Sequence, residues 1–146
     1  MAAGLARLIV CERRGHWAVA LRRELPVAGQ RVYETRSVAE CWEMLAGWPA
    51  SFLLVELTRS GADVLLERMA WLERDFPAAR AAVVAERSLS GCEWWMREAG
   101  AIHFTVSPRE LGPLARLAVR HLDAAPRAPL TLTERIWADL PWGKAE

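Results

Sequence analysis

Along the chain, short apolar runs alternate with longer segments in which apolar residues recur at helical spacing. The runs are LARLIVC (5–11), RVYET (31–35), SFLLVEL (51–57), RAAVVA (80–85) and AIHFTV (101–106), each of strand length. HWAVALRREL, after the first run, reads as a helix. Positions 38, 41, 42 and 45 form an apolar stripe, as do 65, 69, 72 and 76; 92, 95, 96 and 99; and 111, 114, 118 and 122. Each is an i, i+3, i+4, i+7 face or close to it. Pro49 and Pro77 stop the second and third helices, and Gly100 follows the fourth. Strand and helix alternating five times predict parallel strands joined by right-handed crossovers. That is an α/β, doubly wound sheet covered by helices on both faces. Function in such a fold gathers at the carboxyl ends of the strands, where Glu56 stands at the end of the third run.

Composition narrows the picture. The 146 residues are 53% hydrophobic and 25% charged, enough for one globular core without metal or disulfide support. A net charge of +1 gives no electrostatic case for nucleic acid or an anionic membrane. The opening MAAGLARLIVCERR has too short an apolar run for a signal peptide, and no stretch reaches the ~20 residues of a membrane span. The expectation is a soluble, cytoplasmic protein. Lys144 is the only lysine, so lysine chemistry is excluded from the body of the domain. Cys11, Cys41 and Cys92 are odd in number, far apart in sequence and without C-x-x-C spacing, which favours reduced thiols. His16, His103 and His121 have no partner at metal-ligand spacing, and Gly15 stands alone where a phosphate loop would need several glycines. No catalytic constellation, metal site or cofactor site emerges, and the expectation is a binding protein.

The character changes at Pro126 and divides the chain into a domain, 1–125, and a C-terminal arm, 126–146. Thr133 reads as an N-cap, with Leu132 and Trp137 as a hydrophobic staple, so a short helix is expected over 133–140. Leu130, Leu132, Ile136, Trp137, Leu140 and Trp142 are more apolar surface than a free tail carries. Each would contribute roughly 1.5–3 kcal/mol if buried, so the arm is expected to dock on its own domain, on a second copy or in a partner's groove. The chain has eight tryptophans against one tyrosine. Trp42 and Trp95 lie on apolar stripes and are expected in the core. Trp94 points nearly opposite its stripe and is expected to face outward.

GAIHFTVSP (100–108) resembles the end of the receiver domain of bacterial response regulators, where Gly-Ala, an aromatic residue and Lys-Pro close the fifth strand. Phe104 and Pro108 match, and Ser107 replaces the lysine. The resemblance covers roughly 5–123 and implies a flavodoxin-like strand order of 2-1-3-4-5 and a cis Ser107–Pro108 bond. Carried over by position, the family's acidic pair becomes Cys11 and Glu12, its phosphoacceptor Glu56, its hydroxyl Ala85 and its lysine Ser107. A thiol beside one glutamate is a poor start for near-octahedral oxygen coordination of Mg²⁺. Without the lysine, a phosphoryl group has no counter-cation. The resemblance therefore implies a degenerate receiver in which Glu56 is a relic, solvated or paired with Arg13, Arg59 or Arg87.

In receivers, helix four, strand five and helix five form the face where dimers assemble and partners dock. The expected function is a phosphorylation-independent adaptor that binds proteins through Trp94 and the arm residues Ile136, Trp137, Leu140 and Trp142. A homodimer would use the helix-four face or the arm. The alternatives are an atypical phosphorylation-responsive receiver, with Glu56 as acceptor or as a fixed mimic, and a small-molecule sensor using the strand-end crevice. No DNA-binding output domain is expected in the 21 residues after the last helix.

Overall fold

Each apolar run forms a strand; RAAVVA does so over its full length, and the other four are trimmed by one residue or more. The computed structural model describes residues 6–26, 29–126 and Ile136. The strands are β1 (Leu8–Cys11), β2 (Val32–Thr35), β3 (Phe52–Leu57), β4 (Arg80–Ala85) and β5 (His103–Thr105). The helices are α1 (His16–Glu24), α2 (Val38–Gly47), α3 (Ala62–Asp75), α4 (Glu93–Glu98) and α5 (Gly112–Ala124). All strand pairs are parallel and the order is β2-β1-β3-β4-β5. The central register runs Val10↔Leu54↔Ala82, so the core residues of three strands stack across the sheet.

The period of two along each strand sorts side chains into two layers. Ile9, Cys11, Leu53, Val55, Leu57, Ala81, Val83 and Ala85 pack with the stripes of α2 and α3 and with Met96 of α4. Leu8, Val10, Phe52, Leu54, Ala82 and Val84 pack with Trp17, Ala18 and Leu21 of α1 and with Leu114, Ala115 and Ala118 of α5. This is the predicted doubly wound sheet, both faces covered. The order reverses between β1 and β3, and the crevice of interest opens there, beyond their carboxyl ends.

Two local expectations are corrected. Trp95, expected in the core, is 59% exposed. The chain enters α4 through a 3-10 turn, Arg87–Cys92, and α4 itself has six residues, of which Met96 alone is buried. Cys92 and Ala99 pack partly on the core while Trp95 swings out. Gly100 then ends the helix at φ 111°, with Ala101 N–H donating to Met96 O at 2.9 Å and Gly100 N–H to Arg97 O at 3.0 Å. That left-handed Schellman turn explains the glycine.

The second correction is the Ser107–Pro108 bond: no peptide among the described residues is cis. Ser107 is extended (φ −112°, ψ 116°), as a residue before proline prefers, and Pro108 opens a 3-10 turn, Pro108–Glu110. Glu110 N–H closes that turn onto Ser107 O at 3.1 Å. A trans bond leads directly into it.

The expected helix over 133–140 and the contacts of Trp137, Leu140 and Trp142 lie outside the described residues. Ile136 is 54% exposed.

Candidate functional site

At the end of β1 the alternation that turns Cys11 toward α2 turns Glu12 toward α1. Its carboxylate is buried, 2% exposed, and is fully engaged there. Oε1 accepts the N–H groups of Gly15 at 3.0 Å and Trp17 at 2.9 Å, and Oε2 accepts that of Ala18 at 2.6 Å. These are the capping residue and the second and third residues of α1, donors that a helix leaves without internal partners. No residue next to the helix supplies a side-chain cap, since Gly15 occupies that place at φ 94°. A side chain at Gly15 would also meet Arg36 Nη2 at 3.4 Å. Glu12 thus acts as a helix cap delivered from the preceding strand, favoured by charge-assisted bonds and the helix dipole.

Glu56 follows the same parity on β3. It is half-buried, pairs in register with Val84, and accepts Arg13 N–H at 3.2 Å through Oε1. The expected arginine partner is present, but through its backbone: the Arg13 guanidinium instead donates to Ser60 Oγ at 3.0 Å. Together these groups bridge the β1–α1 and β3–α3 loops.

Between the loops lies a cleft of about 440 Å³, whose walls include Arg13, Arg14, Arg59, Glu56 and Glu86. Of the five positions singled out for phosphoryl chemistry, Glu56 alone lines it. Cys11 is 4% exposed and Ala85 fully buried, both turned into the core layer of α2 and α3. Ser107 N–H donates to Thr105 Oγ1 at 3.2 Å, beyond β5 and outside the cleft lining. The crevice therefore carries three guanidinium groups where the resemblance would place a carboxylate cluster and an amine. Of the histidines, His16 lines the cleft and stands 3.8 Å from Glu12, whereas His121 lies apart, its Nε2 2.8 Å from Ala50 O.

The second feature is aromatic. Trp94 is 62% exposed, as expected, and meets Trp95 edge to face with ring centroids 5.2 Å apart. Trp71 on α3, the helix that packs beside α4, is half exposed and stacks with Arg74 at 5.0 Å. Sequence reasoning missed Trp71, although its position one residue before the stripe member Leu72 carried the signal. It also missed Arg7, whose guanidinium lies between the rings of Tyr33 at 4.1 Å and Trp48 at 3.7 Å, at the opposite end of the sheet.

No protein-family profile and no curated protein matches the chain. Solved structures do. A response regulator from Thermotoga maritima aligns over 82% of this chain and 99% of its own, with TM-score 0.63 and 16% identity. The receiver domain of NtrC4 from Aquifex aeolicus aligns over 81% and 97%, with TM-score 0.61 and 11% identity. A CheY-like protein, tadZ, from Pseudomonas aeruginosa aligns over 77% and 98%, with TM-score 0.59 and 21% identity. The five-stranded order, the crossovers and these alignments give one conclusion: the chain has the CheY-like receiver fold.

Proposed function

We propose that this receiver-like domain is a phosphorylation-independent signalling adaptor that works by binding another protein. The observation that carries the reading is the exposed Trp94–Trp95 pair on α4. Two large aromatic rings held edge to face on a six-residue helix are a costly solvent surface and a strong anchor for a partner. The state of the crevice supports the other half. Glu12 is committed to α1, the Ala85 position has no hydroxyl, and the Ser107 position has no ammonium group to neutralise a phosphoryl charge.

Incubation with acetyl phosphate and Mg²⁺ is expected to leave the intact mass and the tryptophan emission unchanged. A phosphoryl adduct on Glu56, or an emission change that Glu56→Gln abolishes, would instead establish a phosphorylation-responsive receiver.

The cleft supports a second reading, a small-molecule sensor. Its volume of about 440 Å³ falls in the range of ligand sites, and Arg13, Arg14 and Arg59 suit an anionic ligand. On this reading a thermal-shift screen of small anions yields at least one that raises the melting temperature, and Arg13→Gln removes the rise. A screen without such a ligand leaves the adaptor reading alone.

A further inference from the structure

The buried stripe of α3, Leu65, Met69 and Leu72, turns the far side of that helix to solvent. Val64 and Trp71 lie there two turns apart, both about half exposed, and the Arg74 guanidinium stands over the Trp71 ring at 5.0 Å. At 100° per residue, Glu67 and Arg74 fall on one flank of Trp71, and Arg68 and Asp75 fall on the other. All four are exposed, and among the described residues none of them forms an ion pair.

Each flank carries opposite charges, acid then base on one side and base then acid on the other. Within one helix they cannot meet. Seven residues span about 10 Å, whereas side chains pair at a spacing of three or four. A second α3 running antiparallel satisfies both flanks at once. With Trp71 at a twofold axis, Glu67 of one copy comes level with Arg74 of the other, and Arg68 with Asp75. Rotation about that axis keeps each flank on its own side, so acid meets base four times. A parallel twofold pair does the reverse, setting Glu67 against Glu67 and Arg74 against Arg74. Antiparallel packing also opposes the two helix dipoles.

We propose that α3 is a contact between two copies of this chain, packed antiparallel with their Trp71 rings at the axis. The paired rings form an apolar centre, and the four ion pairs form its polar rim. With 14 residues α3 is about 21 Å long, so the contact falls well below the ~1,600 Å² of a standard interface. The dimer is therefore weak and reversible, with a dissociation constant on the order of 10–100 µM. The charge pattern involves neither α4 nor the C-terminal arm.

Sedimentation of the full chain is expected to shift from monomer to dimer across that concentration range. Glu67→Arg puts like charges on one flank of both copies, and Arg74→Glu does the same with the opposite sign. Each is expected to weaken dimerisation by about tenfold or more. The double variant, Glu67→Arg with Arg74→Glu, keeps the natural net charge and is expected to restore the dimer, as is a mixture of the two single variants. The substituted positions are exposed, so melting temperatures should stay close to that of the natural chain. Arg68→Glu and Asp75→Arg give an independent set on the other flank. Three results would overturn the proposal: a natural chain that stays monomeric to about 1 mM, a dimer indifferent to the single reversals, or a double variant as weak as the singles. A dimer that ignores the reversals and is lost when the chain ends at Ala125 belongs to the arm instead.

Discussion

Replacing Glu12 with alanine is expected to lower the melting temperature by about 10 °C, corresponding to about 3 kcal/mol for a chain of this size. The residue lies where receivers keep a metal-binding acid, so a site reading and a structural reading predict opposite outcomes. A metal-site carboxylate repels its acidic neighbours, and its removal leaves stability unchanged or improved. A buried cap behaves otherwise. Three backbone N–H groups at the start of α1 converge on the Glu12 carboxylate, and those of Trp17 and Ala18 lie in buried residues. Alanine leaves them without acceptors in a site sealed from water, at about 1–3 kcal/mol for each group fully buried. A conventional cap is worth about 1 kcal/mol and lies at the surface; this one is inside.

The conservative substitutions sharpen the distinction. Glu12→Gln keeps the shape but sets an amide N–H₂ against one of the helix donors, with an expected cost of about half the alanine effect. Glu12→Asp restores the acid that the family resemblance would lead one to expect. It is one methylene too short to span from β1 to the Ala18 amide, so it too is expected to destabilise. Thermal melts of the three variants decide the matter. Equal melting temperatures for Glu12→Asp and the natural chain would overturn the capping role.

The same residue shows where sequence reasoning reaches its limit. The fold was legible because each strand and each helix repeats its signal over several residues. The stripe on α3 placed Leu65, Met69 and Leu72 in the core without any knowledge of the sheet. The site depends instead on single side chains. Whether Glu12 faces the crevice or α1 turns on where β1 ends and on the parity of one residue, and a one-position shift reverses it. Trp95 was misplaced for a related reason. A helical phase counted from Cys92 fails when a 3-10 turn precedes α4, because the rotation per residue differs between the two. By contrast, the loss of chemistry at Ala85 and Ser107 was visible from residue type alone. No packing gives alanine a hydroxyl or serine an ammonium group.

Changing both Trp94 and Trp95 to serine is expected to weaken the affinity for the protein partner by about 30-fold or more, the size of an interface hot spot. The fold should hardly respond. Both rings are more than half in water, and α4 is fixed from beneath by Met96 and closed by the Gly100 turn. Stability of the double variant should therefore stay within about 0.5 kcal/mol of the natural chain. That separation gives the experiment its force, since a loss of binding without a loss of stability can come only from the surface. The single variants add direction. Edge-to-face packing makes each ring the support of the other, so each single change removes one anchor and loosens its neighbour. The two single losses should then sum to more than the double loss, as contacting residues behave. Trp71→Ser on α3 serves as the boundary probe: a comparable loss extends the interface across α3, and no loss confines it to α4. The measurement is the dissociation constant of a partner isolated with the full chain, by calorimetry, for the natural protein and each variant. If the double variant binds as tightly as the natural chain, the tryptophan pair is not the contact. A chain ending at Ala125, checked for folding by its melt, then shows whether binding belongs to the arm.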